Sequence, residues 1–174
     1  TPDDRITLQY LESETRDRGT DIEALSGHAT RIAWDHTAQH VEWSASTLEI
    51  ADGFRADSGY VPQSGIRRAQ GRLLIKTYPA RRLSRVAAGL EYDRTDADGR
   101  VVSESLAPVV AIEGWRGMTA ELRLFVNDKA QALDGSQHQQ DYLLASASLF
   151  PSQRVPYLGL TLRTGDELDV TRAR

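Results

Sequence analysis

Apolar and polar residues alternate with period two over most of the chain, which predicts strands rather than helices. Ile6, Leu8 and Tyr10 alternate with Thr7 and Gln9, and Ile32 and Trp34 with Arg31 and Asp35. After a short polar break at His36 to His40, Val41, Trp43 and Ala45 alternate with Glu42, Ser44 and Ser46, so the two segments read as a hairpin. Val86, Ala88, Leu90 and Tyr92 share one face against Arg85, Gly89, Glu91 and Asp93. The break that follows, Asp96-Ala97-Asp98-Gly99, is a turn signal, because glycine accepts the positive φ of a tight hairpin.

Val110 and Ile112 close a strand before a turn at Gly114 to Gly117. Met118, Ala120, Leu122, Leu124 and Val126 then give the clearest alternation in the chain. A polar loop from Asp128 to Gln140 precedes Leu143, Ala145, Ala147 and Leu149, and the last strand carries Leu158, Leu160 and Leu162. Ala51 to Ile66 is too long for a simple hairpin turn, and a single helical turn is predicted only near Asp21 to Leu25. The whole reads as one all-β domain over residues 1–174, an antiparallel meander of about eight to ten strands. It predicts a barrel, with a soluble β-sandwich as the alternative.

Composition narrows the function classes. The 174 residues are 40% hydrophobic and 26% charged, ordinary for one folded domain, and a net charge of −4 gives no electrostatic reason to expect nucleic acid. Without cysteine there is no disulfide framework, thiolate nucleophile or Cys-type metal site. Thr1 in place of an initiator methionine leads to the expectation that the sequence begins inside a longer chain or after a removed signal peptide. No apolar run approaches the roughly 18 residues of a membrane-spanning helix, a criterion that leaves membrane barrels open because their strands alternate.

The candidate chemistry is sparse, with no cofactor implied. His36 and His40 have the i, i+4 spacing of a helical zinc site but lie between strands and lack the accompanying Glu, so they read as turn histidines. Asp96 to Gly99 resembles the centre of a calcium loop, yet Arg94 and Ser105 fall where the first and last ligands belong. Asp166 and Asp169 could pair as general acid and base of a carbohydrate hydrolase, a third functional reading with no further support. The basic stretch Arg67, Arg68, Arg72, Lys76, Arg81, Arg82 and Arg85 reads as a solvated strand face, or alternatively as a channel lining or a contact with anionic headgroups.

Aromatics recur near strand ends: Tyr10, Trp34, Trp43, Tyr78, Tyr92, Trp115, Phe125, Tyr142, Phe150 and Tyr157. In an outer-membrane barrel they would form interfacial girdles; in a sandwich they would fill the core. As a carbohydrate site, Trp34, Trp43 and Trp115 are the candidates, since flat rings suit the CH-rich faces of sugars.

The segment Gly53-Phe54-Arg55-Ala56-Asp57-Ser58-Gly59-Tyr60-Val61-Pro62-Gln63-Ser64-Gly65-Ile66-Arg67 resembles a stretch of a bacterial family of unknown function, DUF5916. Phe54, Asp57, Gly59, Tyr60 and Pro62 carry the likeness, and Gly165, Asp166 and Asp169 are similar to an element near the end of that family's barrel region. The resemblance implies a C-terminal outer-membrane-like β-barrel behind a carbohydrate-binding module that is absent from this chain. It implies a non-enzymatic envelope protein with a glycan-related binding or transport role, and membrane lipid and carbohydrate as partners. A barrel segment would also expose sheet edges through which copies could associate. The competing expectation is a periplasmic or otherwise soluble calycin-like binding module. The two differ in facing: apolar side chains outward around a polar, Arg- and Glu-bearing interior, or the reverse.

Overall fold

A computed structural model describes residues 3–15, 25–55, 64–79, 82–131, 135–150 and 156–166. They form nine strands: β1 (Asp3–Thr15), β2 (Leu25–Thr37), β3 (Val41–Ile50), β4 (Ile66–Thr77), β5 (Leu83–Ala97), β6 (Arg100–Gly114), β7 (Met118–Gln131), β8 (Gln137–Leu149) and β9 (Leu158–Asp166). All nine belong to one sheet in the order of the sequence, each antiparallel to the next. The meander is therefore as read from the alternation. A second sheet, which a sandwich requires, is not present among the described residues, and β1 does not pair with β9.

The strands run further than the apolar alternation does. β2 continues through His36 to Thr37, so the β2–β3 turn occupies only residues 38–40. Leu25 opens β2, and the rest of the expected helical turn lies outside the described residues. The described helical piece is a 3₁₀ turn at Trp115–Gly117, where Arg116 has φ 57°. Asp98 and Gly99, at φ 51° and 70°, make the two-residue β5–β6 turn, with both residues left-handed as the tightest hairpin connection demands.

The two faces of the sheet differ sharply. Cross-strand register places Ile6 opposite Trp34, Trp43 opposite Leu73, Leu73 opposite Leu90, Val110 opposite Leu122, and Ala147 opposite Leu160. These residues share one face, and the exposed large hydrophobics within the strands stand on it, Leu11 excepted. The buried strand residues all point the other way: Ala29, Ala33, Leu74, Lys76, Ala87, Ala107, Val109 and Gln140. In a single layer nothing packs on either face, so a side chain is buried only by neighbours in its own sheet. Crowding on one face and splaying on the other mean that the sheet curls around its polar face. Antiparallel sheets commonly pack their apolar face and solvate the other; here, among the described residues, no second layer covers the apolar face.

The apolar stripe also drifts across the strands. The row through Leu8, at the middle of the stripe on β1, passes Ile32, Thr47 and Ala69 and meets β5 at Arg94. The row through Leu160, the middle on β9, passes Ala147, Ala120 and Ile112 and meets β5 at Val86. From 94 to 86 the stripe slips eight residues over the eight steps from β1 to β9, about one residue per strand. With a rise of about 3.3 Å per residue and about 4.8 Å between strands, a level band at that slip crosses strands tilted by about 35°.

Candidate functional site

The polar face carries a connected set of charges contributed by β3 to β7. Lys76 Nζ lies 3.2 Å from Glu42 Oε2, and Arg72 Nη1 lies 3.9 Å from Glu42 Oε1. Arg72 Nε is 3.0 Å from Glu91 Oε1, Arg123 Nε is 3.0 Å from Glu91 Oε2, and Arg123 Nη2 is 2.9 Å from Glu121. Neither Nε makes a directed hydrogen bond, although both are shielded from solvent, so the Glu91 contacts are Coulombic rather than geometric. The Arg123–Glu91 pair reaches across β6, where Ala107 and Val109, their cross-strand neighbours, are each 1% exposed. A small residue at 107 leaves room for the bridge.

Further pairs extend the set. Asp93 accepts from Arg68 Nη2 at 2.5 Å and from Gln70 Nε2 at 2.7 Å, and Arg85 pairs with Glu113. A trough of about 570 Å³ runs over this surface, lined among others by Arg31, Asp35, Ser44, Gln70, Arg72, Glu91 and Phe125. Phe125 stacks on Tyr142 with ring centroids 4.3 Å apart at 13°, and Arg163 lies 4.3 Å above Tyr142. Flat aromatic surface thus borders a field of paired charges. The arrangement presents hydrogen-bond donors, acceptors and ring surface along the trough.

The basic stretch is divided by the pleat. Arg68, Arg72, Lys76 and Arg85 stand on the polar face, Arg72 among the trough's lining, whereas Arg67 faces the opposite side and pairs with Glu49 at 2.9 Å; Arg81 lies outside the described residues. On that opposite face, just past the apolar stripe, Arg94 pairs with Asp96 at 2.8 Å and Glu104 with Lys129 at 2.8 Å. Hydrogen bonding from Arg94 holds Asp96 below the usual carboxylate range, and Lys129 does the same for Glu104. Asp128 moves upward through burial. Arg94, Asp96, Glu104 and Lys129 form a charged collar at the end of the sheet that carries the 51–65 connection, whereas Asp128 stands on the polar face opposite Gln140.

The three tryptophans are not one site. Trp34 and Trp43 meet edge to face at 4.6 Å on the apolar face, with His36 stacked on Trp43 at 5.7 Å. Trp34 Nε1 donates to Asp4 Oδ1 at 3.1 Å, and His36 Nδ1 lies 2.9 Å from the same oxygen. Trp115 stands in the β6–β7 turn beneath the Arg116 guanidinium. His40 contacts the Lys76 carbonyl at 3.1 Å, consistent with a turn role.

Of the motif residues, Phe54 is buried where the start of the 51–65 connection folds over β2. Ala51 donates to the His28 carbonyl, Arg55 N donates to Ser13 Oγ, and a Cβ on Gly27 would fall 2.2 Å from the Phe54 nitrogen. Asp57, Gly59, Tyr60, Pro62 and Asp169 lie outside the described residues. Gly165 has φ 132°, and Asp166 pairs in register with Asp141. Sequence reasoning passed over Phe125, which lines the trough, and Tyr142, which stacks on it, although Phe125 is out of phase with Leu124 and Val126.

Fold and surface together define a class: a single-layer antiparallel meander whose apolar face is the open one and whose connected set of charges around Glu91 lies within its curl. No protein-family model, curated protein or solved structure matches this chain.

Proposed function

We propose that these nine strands are the wall of an outer-membrane-type β-barrel in a bacterial envelope, apolar face in lipid and polar face toward a lumen that takes uncharged, glycan-like solutes. The inverted facing carries the reading, since an antiparallel sheet with its apolar side exposed and its charges gathered inward suits lipid outside and water within. Three further observations support it. The stripe slips by one residue per strand, as a level bilayer requires of strands tilted within the range known for such barrels. On β5 the outward positions from Val86 to the first charged one, Arg94, span about 22 Å along the normal at that tilt, against an apolar band of about 25 Å. Trp34, Trp43, Tyr78, Trp115, Phe150 and Tyr157 gather toward the end with the shorter turns, as an interfacial girdle would. By the same rule the end bearing the 51–65 connection faces outward from the cell.

The glycan-like solute rests on the chemistry of the trough. Arg72, Glu91, Asp93 and Gln70 line it, and on the polar face around it Arg68, Lys76, Arg85 and Arg123 each have a carboxylate at ion-pair distance, so the surface offers many hydrogen-bonding groups. The Phe125–Tyr142 stack adds flat apolar area. The resemblance to a family joining a carbohydrate module to a barrel points the same way.

Size-exclusion chromatography with circular dichroism, in buffer and in mild detergent, tests the membrane placement. Association in buffer and a folded, detergent-dependent peak are expected, with tryptophan fluorescence quenched by brominated acyl chains. A monodisperse β-rich peak in plain buffer overturns the reading.

A further inference from the structure

We propose that the apolar face carries a seat for one anionic phospholipid, its headgroup at Arg82 and Arg116 on the short-turn end and an acyl chain in a groove over β7 and β8. The inference rests on the barrel reading above and adds a specific lipid to it.

The groove comes from small residues at outward positions. Cross-strand register sets Ile112, Ala120, Ala147 and Leu160 in one row, so two alanines leave a gap between two branched side chains. In the next row away from the β6–β7 turn, Ala145 continues the gap beside Leu162. The groove so formed has a volume of about 320 Å³. Counted from Met118 at the start of β7, Ala120 is two residues on and the Ala145 row four, about 5 and 11 Å along the normal at the 35° tilt. Half of an apolar band of about 25 Å is about 12 Å, so the groove lies in the leaflet on the turn side, at the depth of acyl chains. A chain lying there makes the dispersion contacts that the alanines leave unmade.

The charges above the groove favour an anion. Over residues 82–86, 112–120, 147–150 and 156–160 the charged side chains are Arg82, Arg85, Glu113 and Arg116. Arg85 and Glu113 pair with each other on the polar face, so Arg82 and Arg116 set the sign at this end. Trp115 ties the two together: its N–H donates to the Arg82 carbonyl at 2.9 Å, and the Arg116 guanidinium lies 4.2 Å from the centre of its ring. Arg116 holds a side chain at φ 57°, a conformation that favours glycine. Guanidinium groups suit phosphate oxygens, which accept two parallel hydrogen bonds from one fork. Around the wall at the same end, β1 and β2 present the Asp4 carboxylate between Trp34 and His36, where an anionic headgroup finds no such match. The arginines and the groove coincide in one sector only.

Two chains with one tryptophan each read the two sectors. Trp34→Phe with Trp43→Phe keeps Trp115, and Trp34→Phe with Trp115→Phe keeps Trp43. Each is reconstituted in phosphatidylcholine vesicles holding a small fraction of phosphatidylglycerol or phosphatidylcholine brominated on the upper acyl carbons. The ratio of the two quenching constants gives the local enrichment of the anionic lipid and cancels any change in the brightness of the ring. One guanidinium near the surface corresponds to about five-fold enrichment, so a ratio of about five or more is expected at Trp115 and about one at Trp43. Arg82→Gln with Arg116→Gln is expected to bring the Trp115 ratio to about one. Ala145→Leu with Ala147→Leu, which fills the groove and leaves both arginines, is expected to halve it at least, with strand content unchanged by circular dichroism. Equal ratios at the two tryptophans, or a Trp115 ratio that survives either pair of substitutions, overturns the proposal. Association between copies that the leucine pair abolishes assigns the groove to a second chain and overturns it too. Quenching without selectivity removes the lipid seat alone, whereas no quenching of either tryptophan by either lipid removes the membrane placement and the seat with it.

Discussion

Replacing Leu90 with arginine separates lipid from water as the medium on the apolar face, because the two give different magnitudes. Leu90 lies in the middle of the stripe on β5, between Leu73 and Pro108, and is 45% exposed. It is four residues from Arg94 in the charged collar, about 11 Å along the normal at a 35° tilt. In water, a half-exposed strand position away from any special contact tolerates such a change within about 0.5 kcal/mol. At the centre of an apolar bilayer band the same change costs about 2–4 kcal/mol. Thr77→Arg, on the same face at the end of β4, is the control, expected to cost about 0–1 kcal/mol near the interface. Reversible urea unfolding of the chain reconstituted in vesicles, followed through its three tryptophans, measures both. Equal small effects at the two positions, or stabilisation by Leu90→Arg, would refute the assignment of this face to lipid.

On the polar face, Glu91→Gln leaves the Arg72 and Arg123 guanidiniums against a neutral amide. A loss of about 1–3 kcal/mol is expected in the same unfolding measurement, the low end if solvent screens the partly open pair. Gly27→Ala pushes a methyl into the Phe54 backbone, so limited proteolysis should cut the 51–65 connection faster, with the rest of the sheet unchanged. Gly99→Val forces a β-branched residue to φ 70°, and a cost of at least about 1 kcal/mol is expected by thermal unfolding. Asp96 and Glu104 titrate below their unfolded values, so their contribution is present above the ordinary carboxylate range and is lost as pH falls through the lower folded values. Unfolding at pH 6 and pH 3 should show that loss, with Glu104→Gln reducing the difference; Asp128, shifted upward by burial, acts in the opposite sense.

Alternation along Met118–Val126 and the Asp98–Gly99 turn were legible because both are local, one set by side-chain period and the other by the φ that glycine accepts. Which face meets the surroundings was not legible. A period-two pattern is unchanged when a sheet is turned over, and only the crowding of Leu74, Ala87 and Val109 against the splaying of Leu8 and Leu160 distinguishes the sides. The Arg72–Glu91–Arg123 set depends on registers accumulated over four strands, including a shift between Glu104 and Val109, which no local pattern encodes. Tryptophan drew attention as the best sugar-stacking residue, yet the phase of each strand governs where a ring points. By that criterion Trp34 and Trp43 belong with Ile6 and Leu73, and Phe125 with Arg123.

Because each strand bonds only to its sequence neighbours, assembly can proceed as a chain of hairpins with unequal entry costs. Closing the β5–β6 turn orders two residues between strand ends, whereas the β3–β4 connection spans 51–65. The logarithmic dependence of closure entropy on length makes the latter about 2 kcal/mol more costly. β5 and β6, at 15 residues each, also form the longest pair. They are expected to pair first, with growth outward by β7 on one side and β4 on the other, and β1 to β3 are expected to join last, across the 51–65 connection whose start lays Phe54 over Gly27.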